Sequence, residues 1–290
     1  MYFSIIIATR NRCHRLATCL EYLRQLDVGE HRLQVVLVDN GSTDETPSVM
    51  SSFASTFSHP VTLVREPVQG VSRAKNAGIA QAQGDVLIFI DDDCYIDTAY
   101  LHEVAALYSA SGITYIGGRV LLHDPTDAPA TTKTSETPAL LPPGSFLWPG
   151  VILGANWSSR REALQAVGGF DNELGPGTPY ICEELDLLER MSLVGFSGGY
   201  FPGPTVRHHH GRKRGDDTRL LGIAYAYGCG AYYAKFLCRR QTCLAVALRY
   251  PLHLIRRIRK REWHGVAAQC RGTWDYLFHV LRRERNPRSR

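Results

Sequence analysis

The sequence predicts an open, mostly parallel α/β sheet flanked by helices, with a helical extension at its C-terminal end. Three observations predict it. Short, nearly unbroken apolar runs alternate with amphipathic stretches across residues 1–100. Polar and acidic residues close those runs. From Leu220 onward the spacing is helical, and aromatic side chains are interleaved with arginines.

Phe3–Ala8 (FSIIIA), Leu33–Val38 (LQVVLV), Val61–Val64 and Val86–Ile90 (VLIFI) are β-rich and four to six residues long. Runs of this kind, without polar alternation, suit strands covered on both faces, as in a parallel sheet. Between them Leu16–Leu26, Asp44–Phe57 and Val71–Ala82 carry helical patterns. The second opens with Ser42-Thr43-Asp44-Glu45, in which Ser42 is positioned to cap and Glu45 to complete a capping box. Strand–helix–strand repetition predicts right-handed crossovers, with ligands at the carboxyl ends of the strands. Asp97–Ser111 then reads as a helix and Ile113–Leu122 as a strand. Residues 124–150 are rich in Pro, Thr and Ala without periodicity and read as a long loop, a class often used as lids or binding segments. Val151–Trp157 is apolar again, and Ser159–Val167 and Glu183–Val194 read as short helices. No internal repeat is visible.

With 290 residues, 44% hydrophobic and 21% charged, the chain has material for one large domain or two modest ones and is not a disordered or fibrous sequence. None of its eight cysteines stands in CxxC spacing, so neither a zinc ribbon nor a disulfide framework is expected. A reduced, cytoplasmic protein is the simpler expectation. Met1–Ile5 lacks the basic segment and apolar core of a signal peptide, and no run of about 18 uncharged apolar residues is present. The net charge of +5 conceals an asymmetry. Residues 1–206 hold 13 Lys/Arg against 23 Asp/Glu, whereas residues 207–290 hold 20 against 5. Such a division points to two regions with different partners.

The informative residues follow the apolar runs. Ala8-Thr9-Arg10-Asn11-Arg12 closes the first run with backbone N–H groups and an arginine suited to a nucleotide. Neither GxGxxG nor GxxxxGK[ST] occurs there, which argues against a dinucleotide or an ATPase site. Asp39, at the end of the second run, is placed to accept from a base N–H or a ribose hydroxyl. Phe89-Ile90-Asp91-Asp92-Asp93 is the strongest local signal. Three adjacent carboxylates repel one another, and burying them ionised is costly unless a cation compensates. Mg2+ or Mn2+ suits carboxylate and phosphate oxygens. In an extended segment Asp91 and Asp93 would share a face, one toward ribose and one toward the metal.

Taken in order, SIIIATRNR, VDNGSTD, RAKNAG (Arg73–Gly78) and FIDDD resemble a family 2 glycosyltransferase of the GT-A fold, a Rossmann-like sheet. Gly154-Ala155-Asn156-Trp157, Gly168-Gly169-Phe170-Asp171 with Glu173, and Glu183-Glu184-Leu185-Asp186-Leu187 extend the resemblance, which covers residues 3–210. It implies a nucleotide-binding half in residues 1–93 and an acceptor half in 94–215 with the loop 124–150; the residues themselves add a basic amphipathic helical extension over 216–290. By the same resemblance Thr9, Arg10, Asn11 and Asp39 line the nucleotide pocket, with Arg73 and Lys75 near it. Asp91 and Asp92 face the donor, and Asp93 is the leading metal ligand, with Asp91 beside it. Family members invert the anomeric centre by direct displacement, with an acidic side chain as base. The matching residue is Glu184, where many relatives carry Asp, and Glu183 and Asp186 are the alternatives. Transfer needs a stabilised leaving diphosphate and a base within ~3 Å of the acceptor hydroxyl.

His208-His209-His210 follows the apolar Thr205-Val206, and His208 is the first choice for an imidazole ligand beside the two carboxylates. Arg212, Lys213 and Arg214 are placed to clamp leaving phosphates. Arg256, Arg257, Arg259, Lys260 and Arg261, then Arg282, Arg283 and Arg285, cluster in the tail. Basic amphipathic helices with aromatic anchors lie at anionic membrane surfaces, and Leu252–Ile258 ahead of Trp263 is the segment expected to dip in. Helices packing against the catalytic domain with a solvated face, or an oligomer contact, are the alternatives for the tail. No nucleic-acid motif accompanies the charge. The expected partners are a nucleotide-sugar donor, above all a UDP-sugar, and an acceptor glycan or lipid-linked sugar, with the enzyme cytoplasmic and peripheral at the inner membrane face. Two rivals remain: a sugar-phosphate nucleotidyltransferase, and a non-catalytic nucleotide-sugar or membrane-binding protein.

Overall fold

The computed structural model describes residues 1–110 and 112–285, and no side chain beyond Arg282. Ser111, expected to end a helix, and the Arg283 and Arg285 side chains lie outside the described residues. The first half runs β1 (Tyr2–Thr9), α1 (Cys13–Arg24), β2 (Arg32–Asp39), α2 (Thr46–Thr56), β3 (Val61–Arg65), α3 (Val71–Gln81) and β4 (Val86–Ile90). β5 (Cys94–Ile96), α4 (Tyr100–Ala110), β6 (Tyr115–Leu122), β7 (Ala139–Leu141), β8 (Asn156–Arg160), α5 (Arg161–Ala166), α6 (Glu183–Leu193) and β9 (Gly198–His208) follow. Three helices end the chain: α7 (Asp216–Leu237), α8 (Cys243–Arg259) and α9 (Trp263–Arg285).

The strands form one sheet in the order β3-β2-β1-β4-β8-β6-β9-β5, with β7 on β9. β1 pairs in parallel with β2 and β4, and Thr9 lies opposite Asp39. β8 runs antiparallel to both β4 and β6, so the sheet is mixed beyond the first four strands. The apolar runs of β1, β2 and β4 are buried because helices cover both faces, as their lack of alternation requires. β3 is the exception. It is the edge strand, and Leu63 is half-exposed.

Two apolar clusters fill the two sides of the sheet. One unites alternate side chains of β1 and β2 with α1 and α4. The other unites Ile6, Val36 and Phe89 with Trp157, α6 and Tyr232, Tyr233 and Phe236 of α7. The first helix of the C-terminal extension therefore belongs to the core of the sheet. Phe89 and Trp157 stack with ring centroids 4.5 Å apart, a contact worth about 0.5–1.5 kcal/mol beyond burial.

Several local expectations are corrected. The capping box on α2 does not form. Its helix starts at Thr46, whose N–H is accepted by Asp44 at 3.0 Å, and Ser42 Oγ instead accepts from the Asn11 N–H. Asp44 displaces Ser42 because it sits two residues before the first helical N–H. Ser159 and Arg160 belong to β8 rather than to a helix, since they pair with Leu87 and Val86. Residues 124–150 contain β7 and a bridge from Lys133 to Val120, which the Pro/Thr-rich composition concealed.

Candidate active site

The carboxyl ends of β1, β2 and β4 lie side by side and open onto a cavity of about 500 Å3. Thr9, Arg10, Asn11 and Arg12 line it from one side, and Asp91, Asp92 and Asp93 from another. The acidic triplet is not extended. The Cys94 N–H donates to Asp91 O at 3.0 Å, closing a turn that sends the three carboxylates to different partners. Asp91 alone borders two cavities. Asp92 is buried, accepts from Thr9 Oγ1 at 2.6 Å and meets Arg12 Nη1 at 3.0 Å. Burial outweighs Arg12 and raises its pKa to about 7. Asp93 meets Arg12 Nη2 at 2.6 Å and lies 3.3 Å from His208 Nε2. Its burial acts upward, but His208 and Arg12 outweigh it and hold the carboxyl at about 2.

Asp93 Oδ1 is buried without a hydrogen-bonded partner among the described residues. Asp93 and His208, with Cys94, offer ligand atoms within 4.8 Å of one another. Burial raises the Cys94 thiol well above its ordinary range, so it stays neutral, and oxygen and imidazole donors are left for a cation. The donor set fits a hard divalent ion.

The loop between β6 and β7 aims His208. Thr131, in the left-handed region at φ 54, sets its Oγ1 3.2 Å from His208 Nδ1. Lys213 fastens that loop by bonds to Asp124, Thr126 and Asp127. The three histidines divide: His209 meets Tyr95 Oη at 2.9 Å, and His210 Nε2 donates to Ala128 O. Arg212 lines the first cavity; Lys213 is bound to the loop instead.

A second cavity, of about 400 Å3, shares Asp91, Thr131, His208 and Tyr225 with the first. Glu183 and Glu184 enter it from the first turn of α6. Lys75 lies 3.4 Å from Glu183 Oε1, while Glu183 Oε2 is buried without a hydrogen-bonded partner among the described residues. Burial and the neighbouring Glu183 charge push the Glu184 carboxyl well above its usual range, against Lys75. Gly154 packs close by, and a Cβ there would lie 3.3 Å from Glu184 Cδ, a tight contact.

The motifs meet because α3 ties to the loops before α6. Ser72 donates to Leu174 O at 2.6 Å, and Asn76 accepts from Phe170 N and donates to Phe170 O. Asn156 is a framework residue. It donates to Arg119 O and Pro204 O and accepts from Tyr100 Oη at 2.6 Å.

Not every expected residue reaches a cavity. Asp39 accepts the Ser42 N–H at 2.9 Å and closes the turn after β2, leaving its neighbour Asn40 on the wall. Arg73 is exposed on α3, and Lys75 lines the second cavity, not the first. Asp186 is buried between Arg190 and Lys235, at 2.8 and 2.6 Å. Several wall residues were not expected as such, among them Arg12, Thr131, Tyr225 and Arg257. Arg12 was legible in the TRNR run. Thr131 lies in the loop 124–150 expected to serve as a lid or binding segment, whereas Tyr225 and Arg257 come from the helical tail read as a surface for other partners.

A model of the family described as "Glycosyl transferase family 2" matches residues 4–167. Among characterised relatives, glycosyltransferase AglE of Haloferax volcanii is 27% identical over 176 residues, 61% of this chain and 58% of the relative. A PGL/p-HBAD biosynthesis glycosyltransferase of Mycobacterium bovis is 34% identical over 125 residues, 43% of this chain and 44% of the relative. The chain thus spans about half the length of these relatives. Among solved structures, mannosyltransferase PcManGT of Pyrobaculum calidifontis, in complex with GDP-Man and Mn2+, aligns with a TM-score of 0.65 at 18% identity, over 93% of this chain and 73% of that one. TarS 1–349 of Staphylococcus aureus aligns at 0.62 and 17% identity, over 83% and 66%. These likenesses fix the fold.

Proposed function

Because the chain belongs to glycosyl transferase family 2, we propose that it moves a sugar from a nucleotide-diphosphate donor to an acceptor hydroxyl with inversion. The observation that carries this reading is the junction of two cavities: one walled by Arg12, Asp92 and Asp93, the other by Glu184, with Asp91, Thr131 and His208 between them. A UDP-sugar is the first donor to test, as TarS was solved with UDP-GlcNAc, and GDP-Man, present with PcManGT, is the second.

In this reading residues 1–93 hold the donor. Asp93 and His208, with Asp91 beside them, hold Mg2+ or Mn2+, which when bound neutralises charge on the departing diphosphate. Thr9, Arg10 and Asn11 face the nucleotide, and Arg12 fixes Asp92 and Asp93. Glu184 takes the proton from the acceptor hydroxyl. Its raised pKa matches a base working near neutral pH. Glu183 and Lys75 tune it, and the pairing of Asp186 makes Asp186 a support for α6 rather than a base.

The extension serves a surface. Leu244, Leu248, Leu252, Ile255 and Ile258 form one exposed stripe on α8, and Trp263 is exposed after it. Arginines flank the stripe, which suits an anionic membrane interface. No described helix is long and apolar enough to cross a membrane. Exchange of Leu248→Glu together with Leu252→Glu is expected to abolish sedimentation with anionic vesicles; unchanged sedimentation removes the membrane part alone.

The whole reading is tested by product analysis across nucleotide sugars with Mn2+. Release of nucleoside diphosphate with an inverted glycoside is the expected result. Release of pyrophosphate would mean a nucleotidyltransferase, and no turnover with any donor would mean a binding protein.

A further inference from the structure

Beyond the residues matched by the family, the cavity holding Glu184 is closed by α8, and its wall there is basic. Arg257 and His253 line it. The Arg257 side chain is only 15% exposed. Its Nε donates to Gln269 Oε1 at 2.9 Å, and Nη1 meets Glu262 at 2.8 Å. Around the same Arg257 and His253 a further cleft of about 560 Å3 opens, walled by Arg256, Arg259 and Lys260 beside Trp148. Among the described residues Glu262 is the one carboxylate lining that cleft. Arg256 lies over the Trp148 ring at 4.3 Å, which holds its guanidinium at the rim. His253 Nδ1 is buried and has no hydrogen-bonded partner among the described residues.

Four cations facing a single acid give the cleft a positive field that favours an anion. Arginine offers a planar fork that matches phosphate oxygens bidentately. The cavity that Glu184 and Arg257 share also has Ile152, Leu153 and Ile181 on its wall, an apolar stretch among its polar groups. We propose that the α8 cleft is a subsite for a phosphate-type anion carried by the acceptor, which sits against Arg257 and Arg256 while the acceptor hydroxyl reaches Glu184. This rests on the transferase reading and adds the acceptor's chemical class to it. The anion belongs either to a lipid carrier or to a soluble phosphorylated sugar or polymer.

The test is equilibrium binding to the full chain saturated with UDP and Mn2+, so that the donor cavity is filled. Farnesyl diphosphate, farnesol and inorganic diphosphate are the probes. Farnesyl diphosphate is expected to bind, and farnesol at least tenfold more weakly. Arg257→Gln is expected to weaken the diphosphate probe at least tenfold with UDP affinity unchanged. Arg256→Gln combined with Lys260→Gln gives a smaller loss in the same direction and covers any disturbance of α8 by the first variant. Tighter binding of the prenyl probe than of inorganic diphosphate identifies a lipid-linked anion; equal binding identifies a phosphate read without its chain. Farnesol matching farnesyl diphosphate, or anion affinity unchanged in both sets of variants, overturns the subsite. Failure to bind UDP instead overturns the donor reading, and the subsite's premise with it.

Discussion

Asp93, after β4, and Glu184, at the start of α6, are treated in opposite ways by their surroundings. Asp93 is held at about 2 because, although burial acts upward, His208 and Arg12 outweigh it. Glu184 is pushed upward by burial and by Glu183, against Lys75 and a backbone hydrogen bond. An acid kept ionised is fit to hold a cation. An acid poised nearer neutrality is fit to take a proton and release it. Separating the pKa values of two acid sets in one site is how a fold assigns binding and base roles. Here the separation follows from where the cations lie: Arg12 and His208 both reach Asp93, whereas the Glu183–Glu184 pair meets one lysine, Lys75.

The largest expected effect is on the β4 side. Asp93→Ala should remove Mn2+-dependent UDP binding altogether, as read by calorimetry; unchanged affinity would erase the contrast. Next, Glu184→Gln should keep UDP binding and lower turnover by ~10²-fold or more, the scale of a lost general base. A normal rate would move the base to Glu183.

The pH profile sharpens the comparison. A raised Glu184 pKa means the base gains its ionised form as pH rises, so turnover should climb through that pKa and fall away below it. Glu183→Gln removes the neighbouring negative charge, so the acidic limb should move to lower pH. A limb that stays put, or moves upward, assigns the titration elsewhere. The smallest effect is structural. Asn156→Ala leaves two carbonyls without their donor and should cost about 2 kcal/mol or more, seen as a lower Tm, without moving the pH limb.

Much of the β4 side was legible in the sequence, because strand ends are local: TRNR, VDN and FIDDD each follow an apolar run. Even there the side-chain directions were not. Asp39 turned to Ser42 N, and the turn at Asp91 replaced the extended geometry that would have set Asp91 and Asp93 on one face. The α6 side was legible only as Glu183-Glu184-Leu185-Asp186. Asp186 looked equivalent to its neighbours, yet Lys235 arrives from α7 to pair with it. Thr131, Tyr225 and Arg257 share the second cavity although the chain separates them widely. Periodicity marks the helices that carry such residues, but which face closes a cavity is decided by packing. α7 reads as a basic tail by charge and is core by contact.

The contrast between the two acid sets is tested most directly by a crystal of the full chain with UDP and Mn2+, measured at the manganese edge. The expected result is an anomalous peak bonded to Asp93 and His208 against the diphosphate, with Glu184 free of metal. A peak on Glu183 and Glu184, or a bound diphosphate with Asp93 turned away from it, would contradict the account.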